Sequence, residues 1–253
     1  MELTSAAEVA AACGDDTLVM WAAQGMRDGV RAWALGEAVA VASPELNRRD
    51  RLVVCGPAGQ VAAVLRRALP EIGPSYRLLG DRALIAELAV RVPGAERVGA
   101  FEWMDTARPP APEAPGRRSA PGEVSWLRDA DEEVSGLLAE ASPSAWAVPG
   151  LPGIHRWAGV RAADGRLVAT AADAWSCPQV GFVAGVATAP GHRGRGYGER
   201  VCRFVFDMLS AGHGRVALMV DTDNHPAIGV YERLGMRGRP MAVLTPPSHP
   251  WPD

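Results

Sequence analysis

Val180 to Gly198 reads V-G-F-V-A-G-V-A-T-A-P-G-H-R-G-R-G-Y-G and runs straight into E-R-V-C-R-F-V-F-D-M-L. The first part is a short apolar run of small and β-branched residues, the pattern of a strand buried on both faces. A glycine-rich turn follows, and then a helix. In the turn, Gly194, Gly196 and Gly198 strip side chains from one wall, so successive backbone N–H groups converge where the helix dipole is positive. Arg193 and Arg195 add charge at the same place. The unit predicts a strand, loop and helix that hold a phosphate.

Two nucleotide motifs do not fit. A dinucleotide fingerprint needs G-x-G-x-x-G, whereas these glycines are spaced G-x-G-x-G. A Walker A loop needs its Gly-Lys-Ser/Thr, and all 26 basic residues of this chain are arginine. What remains, R-x-x-G-x-G from Arg193 to Gly198 after a strand ending V-A-T-x-P, resembles the coenzyme A pyrophosphate loop of the GNAT superfamily of N-acetyltransferases. Downstream, R-V-A-L-M-V-D-T-D-N predicts another strand, and H-P-A-I-G-V-Y-E-R-L-G-M a short amphipathic helix. Pro226 suits a first helical position, Ala227, Val230, Tyr231 and Leu234 share a face, and Gly235 suits the stop. The order strand, then N-x-x-A-x-x-x-Y-x-x-x-G-M, matches the distal half of the GNAT core. Two motifs in register are more specific than either alone.

The resemblance implies a mixed α/β fold in which acetyl-CoA lies where the fourth and fifth strands splay apart. On this match Val186 and Thr188 pair with the pantetheine through their backbone, and Arg193, Gly194, Arg195, Gly196, Tyr197 and Gly198 bind the pyrophosphate. Asn224 has two readings: a contact to the pantetheine arm, or the N-cap of the helix it precedes. Tyr231 is the implied catalytic residue, a phenol that protonates the departing thiolate as an amine attacks the thioester. Its plain alternative is a core tyrosine on an apolar helix face. The glutamate base of histone-type members is matched here by Phe182, which weakens lysine acetylation of that type. Asp173, Asp221 and His192 stand as substitutes, beside a water chain. Trp146 and Trp175 fall in the region from which the family builds its acceptor site.

The expected activity is transfer of an acetyl group to a primary amine of a small molecule or peptide. The alternative is an acyl-CoA-binding regulatory module without turnover; a longer acyl chain is neither supported nor excluded by the small residues Ala184 and Gly185. The absence of lysine removes any Schiff-base or lysine-base chemistry. A net charge of −3 and a pI near 6 argue against a nucleic-acid or anionic-membrane surface. Cys13, Cys55, Cys177 and Cys202 have no metal-ligand spacing, so no metal is expected. With no basic n-region before an apolar run at the start and no run of bilayer length, the expectation is a cytoplasmic protein.

Ser5 and Glu8 predict a capping box for a first helix ending near Gly14. Residues 17 to 35 show no clear period. E-A-V-A-V-A-S-P and R-L-V-V-C predict strands, G-P-A-G-Q-V-A-A-V-L-R-R-A-L a turn into a helix, Asp81 an N-cap, and F-E-W-M-D-T a closing strand. This repeats the later rhythm without its arginines or third glycine. Residues 1–107 therefore read as a smaller α/β domain, either a degenerate relative of the GNAT fold or an unrelated one. Arg108 to Gly122, R-P-P-A-P-E-A-P-G-R-R-S-A-P-G, predicts a linker. Residues 123–245 are the GNAT-like domain, opening with a strand, a helix and a hairpin turning at A-D-G-R, and 246–253 are a Pro-rich tail.

Overall fold

The computed structural model describes residues 1–91, 95–107 and 122–245. The expected linker, apart from Gly122, and the expected tail lie outside the described residues.

A two-residue strand, β1 (Glu2–Leu3), precedes the first helix, which forms as its sequence dictates. Ser5 Oγ accepts from the Glu8 N–H while the Glu8 carboxylate accepts from the Ser5 N–H, and Gly14 closes α1 (Ala6–Cys13) in the left-handed region at φ 62°. The stretch without a clear period resolves into α2 (Thr17–Ala23), a 3-10 turn and β2 (Arg31–Leu35). Leu18 through Ala23 are all buried, so α2 has no polar face to betray its period. Asp16 caps α2 through the N–H groups of Leu18 and Val19. The expected strands and helix follow as β3 (Ala38–Leu46), β4 (Arg49–Cys55) and α3 (Ala58–Ile72), then β5 (Arg77–Asp81), α4 (Arg82–Arg91) and β6 (Glu96–Thr106). Asp81 Oδ1 accepts from Ala83 and Leu84, as expected of a cap. Along β3, Val39 and Val41 face the core that holds α2, while Ala38, Ala40 and Ala42 face the core that holds α3 and α4. This is why the strand reads as a continuous apolar run.

The second half comprises β7 (Val124–Trp126), α5 (Asp131–Ala141), β8 (Ile154–Arg161), β9 (Leu167–Ala174), β10 (Gly181–Thr188), α6 (Tyr197–His213), β11 (Val216–Asp221), α7 (His225–Arg233) and β12 (Arg237–Thr245). The described strands form a single sheet in the order β1-β2-β3-β4-β5-β12-β6-β11-β10-β9-β8-β7. The order is a palindrome of the two halves with their last strands exchanged. β6 from the first half lies against β11, and β12 from the second half lies against β5. The parallel pairs are symmetric too, β4 with β5 and β10 with β11, every other neighbour being antiparallel. The sheet thus passes unbroken across the expected domain boundary.

Strand direction then decides which ends meet. From β10 the sense reverses at each antiparallel step, β11 to β6, β6 to β12 and β12 to β5, so β4 and β5 run opposite to β10 and β11. The amino ends of β4 and β5 therefore share a sheet edge with the carboxyl ends of β10 and β11.

Candidate active site

β10 and β11 begin as a parallel pair, Gly181 with Val216 through Val183 with Leu218, and the pairing stops there. A bulge between Ala184 and Ala187 bends β10 away from its partner, with Gly185 at φ 62°. A Cβ on Gly185 would lie 2.5 Å from Cη2 of Trp157, so only glycine fits both the backbone and the space. Beyond the fork opens a cleft of about 620 Å³, lined on one side by Ala184, Gly185 and Val186 and on the other by Met219, Val220 and Asp221. Unpaired strand edges at this fork can take an extended ligand as an added strand.

Below the fork, α6 starts without a side-chain cap, so the N–H groups of its first turn are left for a ligand. Gly194 and Gly196 are left-handed at φ 71° and 83°, and a Cβ on either would meet nothing within 4 Å. They shape a loop around open space. Gly198 serves packing instead: a Cβ there would sit 2.8 Å from Thr188 Oγ1, so its absence lets α6 lie close on the end of β10. Arg193 braces the loop, donating from Nε to the Thr188 carbonyl and from Nη2 to the Ala141 carbonyl at the end of α5. Arg195 is exposed, while the Tyr197 ring is buried edge-on to His192.

Tyr231 is 5% exposed, lines the cleft and packs against Phe206 of α6. Burial first, and then the neighbouring Cys202, pushes its phenol well above the ordinary tyrosine value, so it holds its proton at any physiological pH. Its helix is fixed by Arg233, whose Nε and Nη2 both donate to the buried Glu199 carboxylate of α6 at 3.1 and 3.0 Å. Asn224 lines the cleft and also caps α7, its Oδ1 accepting from the Ala227 N–H at 3.3 Å. Both readings of Asn224 are compatible with this position, because its Nδ2 is not used by the cap.

The three substitute bases separate. Asp173 is buried, paired with Arg156 at 3.2 Å and accepting from Ser176 Oγ, which in turn accepts from the Phe182 N–H. His192 sits on the loop against Tyr197. Only Asp221 lines the cleft. Phe182 is stacked on Trp21 of α2, centroids 4.6 Å apart, with Trp103 and Trp175 completing the cluster. Trp175 donates to the Pro152 carbonyl and is packed away, whereas Trp146 is 45% exposed and lines the cleft. Among the described residues there is no group of side chains that could hold a metal, all four cysteines are free, and no helix is long and apolar enough to cross a membrane.

No motif pointed to the rest of the lining. Asn47, Arg49, Arg51 and Arg77 reach the cleft from the first half, brought there by the shared sheet edge. Burial first, and then the like charges of Arg49 and Arg77, pulls the Arg51 guanidinium down to about 10, so it remains a cation at neutral pH.

A parallel pair that forks above an uncapped helix amino terminus, in a mixed sheet with helices on its faces, is the arrangement of a GNAT fold. A family model described as the acetyltransferase (GNAT) family matches residues 103–236, just over half of the 253, and the chain belongs to that family. Among solved structures, a GCN5-related N-acetyltransferase from Kribbella flavida is similar at 19% identity, over 87% of this chain and 90% of that one, with a TM-score of 0.53. One from Sphaerobacter thermophilus is similar at 19% identity over 86% and 81%, TM-score 0.52, and a Drosophila protein at 14% over 87% and 80%, TM-score 0.54. These likenesses are of fold, and their coverage extends into the residues before 103. No curated protein matches the chain.

Proposed function

We propose that this acetyltransferase moves the acetyl group of acetyl-CoA to a primary amine by direct attack, with Tyr231 as general acid. The observation that carries the reading is the fork. β10 and β11 part beside a buried, protonated phenol, and the loop below offers uncapped N–H groups around open space. Val186 and Thr188 hold the pantetheine through their backbone, and 193–198 hold the pyrophosphate, with Tyr197 and Gly198 acting through their N–H groups. Acetyl-CoA supplies the activated thioester. In this chain Tyr231 returns a proton to the leaving sulfur, Asn224 orients the arm, and Asp221 takes the proton the acceptor ammonium must lose, since an alkyl ammonium has a pKa of about 10.4.

The first half is best read as a second copy of the fold that carries no coenzyme. Its elements repeat the strand order and its parallel pair is likewise in register over three residues, but just past them a Cβ on Gly80 would come within 2.9 Å of the Val54 carbonyl, so β4 and β5 stay close there. Calorimetry should therefore give one acetyl-CoA per chain. An amine screen read by release of the coenzyme thiol should find turnover; tight acetyl-CoA binding with no thiol release from any amine would favour the regulatory module instead.

A further inference from the structure

The cleft continues past the coenzyme fork to a cluster of positive charge that no described carboxylate neutralises. Arg51 and Arg77 are direct neighbours across the β4–β5 pair, and Arg49, two residues before Arg51, shares their face. Arg51 is 6% exposed and its Nε has no hydrogen-bond partner. Among the described residues no carboxylate lies within ion-pair distance of any of the three. Like charges side by side on a sheet destabilise it, and a buried guanidinium without an anion is costly. Their aromatic neighbour, Trp146, lies 5.7 Å from Arg49 and 5.8 Å from Arg51 and carries no charge of its own.

The cluster is close to the fork. Trp146 borders these arginines, and the next residue, Ala147, lies 3.3 Å from where a Cβ on Gly185 would be. From the other side, Asn47 donates to Met219 Sδ at 3.8 Å on the β11 wall, and its own Oδ1 is buried without a donor. A donor-rich pocket with an idle carbonyl beside it suits a molecule that brings an acidic group and an N–H to the same place.

We propose that Arg51, flanked by Arg49 and Arg77, grips an anionic group of the acceptor, a carboxylate or a phosphate, so that the amine to be acetylated belongs to a negatively charged or zwitterionic small molecule. This rests on the transferase reading above. The guanidinium fork is matched in geometry and charge by either anion, and burial of Arg51 strengthens the pairing.

The test uses matched pairs on the full-length protein saturated with coenzyme A, so that binding is read without turnover. The probes are amino acids beside their carboxamides, and O-phosphoethanolamine beside ethanolamine. Calorimetry should show at least tenfold tighter binding of the anionic member in one series, which also says which anion is held. Arg51→Gln should bring that ratio near one while coenzyme A affinity stays within twofold. Arg49→Gln, on the exposed rim, should lower the ratio as well and serves if the buried substitution does not fold. Equal binding within both series, or a ratio untouched by both substitutions, overturns the proposal. Loss of coenzyme A affinity in the variants also overturns it, by assigning the arginines to the coenzyme. Thiol release distinguishes the two readings. Turnover of neutral amines without anion preference defeats this inference alone, and anion preference without turnover of any amine defeats the transferase alone.

Discussion

At the scale of single residues, Tyr231 is both a core position and the proposed general acid. Its ring belongs to the packing between α6 and α7, and its edge belongs to the cleft. Tyr231→Phe keeps the ring and removes the donor. If chemistry limits turnover, kcat should fall by roughly 10²–10⁴-fold with little change in acetyl-CoA affinity or melting temperature. A tyrosine whose hydroxyl matters only to packing would give the reverse, a lower Tm and an unchanged kcat. Its titration offers a second measurement. The folded-state values of Tyr231 and Cys202 are both raised, the latter to about 12, so the contribution of these two groups to native stability is level below their ordinary values of 10.0 and 9.0 and falls as the pH climbs through them. Phenylalanine at 231 should lessen that alkaline loss, because only Cys202 of the pair would remain to ionise on unfolding.

At the scale of elements, the site depends on where β10 stops following β11, and Gly185 sets that point. Gly185→Ala drives a methyl group into Trp157 at a left-handed backbone angle. Left-handed strain and overpacking together should remove about 2–5 kcal/mol of stability in chemical denaturation and weaken acetyl-CoA binding with it. Gly196→Ala, whose methyl meets nothing in the free protein, should lose only the left-handed preference, about 1–2 kcal/mol. The loop, the caps at Ser5, Asp81 and Asn224, and the helix of Tyr231 were legible because each is written in adjacent residues with a local reason. The bulge was not, since A-G-V reads as plain strand until Trp157 is known to stand over it. Nor was α2, whose buried faces leave no period to read. Arg51 was least legible of all. In R-R-D-R it looks like a solvated strand start, and only the reversal of β4 against β10 turns it into a cleft wall.

At the scale of the whole molecule, the exchange of last strands makes each half incomplete. β12 has no sheet partner of its own half, since its neighbours are β5 and β6, and β11 meets β6 from Val216 opposite Thr106 to Asp221 opposite Phe101. The seam is reinforced by Arg239, which grips both oxygens of Asp16 at 2.6 and 2.8 Å, by Trp21 Nε1 donating to the Trp175 carbonyl, and by Trp21 stacked on Phe182. The second half alone is therefore expected to lose its fork: without β6 the far edge of β11 is bare, and without Trp21 one face of Phe182 is exposed. A fragment of residues 122–253 should show exposed hydrophobic surface by dye binding, poor tertiary near-ultraviolet signal and no acetyl-CoA affinity. Co-expressed with residues 1–107, it should recover as a non-covalent complex that binds the coenzyme with close to full-length affinity. Among the described residues the joint is made by strand pairing and packing, so continuity of the chain should matter little. A fragment of 122–253 that folds by itself and binds acetyl-CoA normally would show that β12 can turn back to pair with β11, and that the exchange of strands is dispensable to the site.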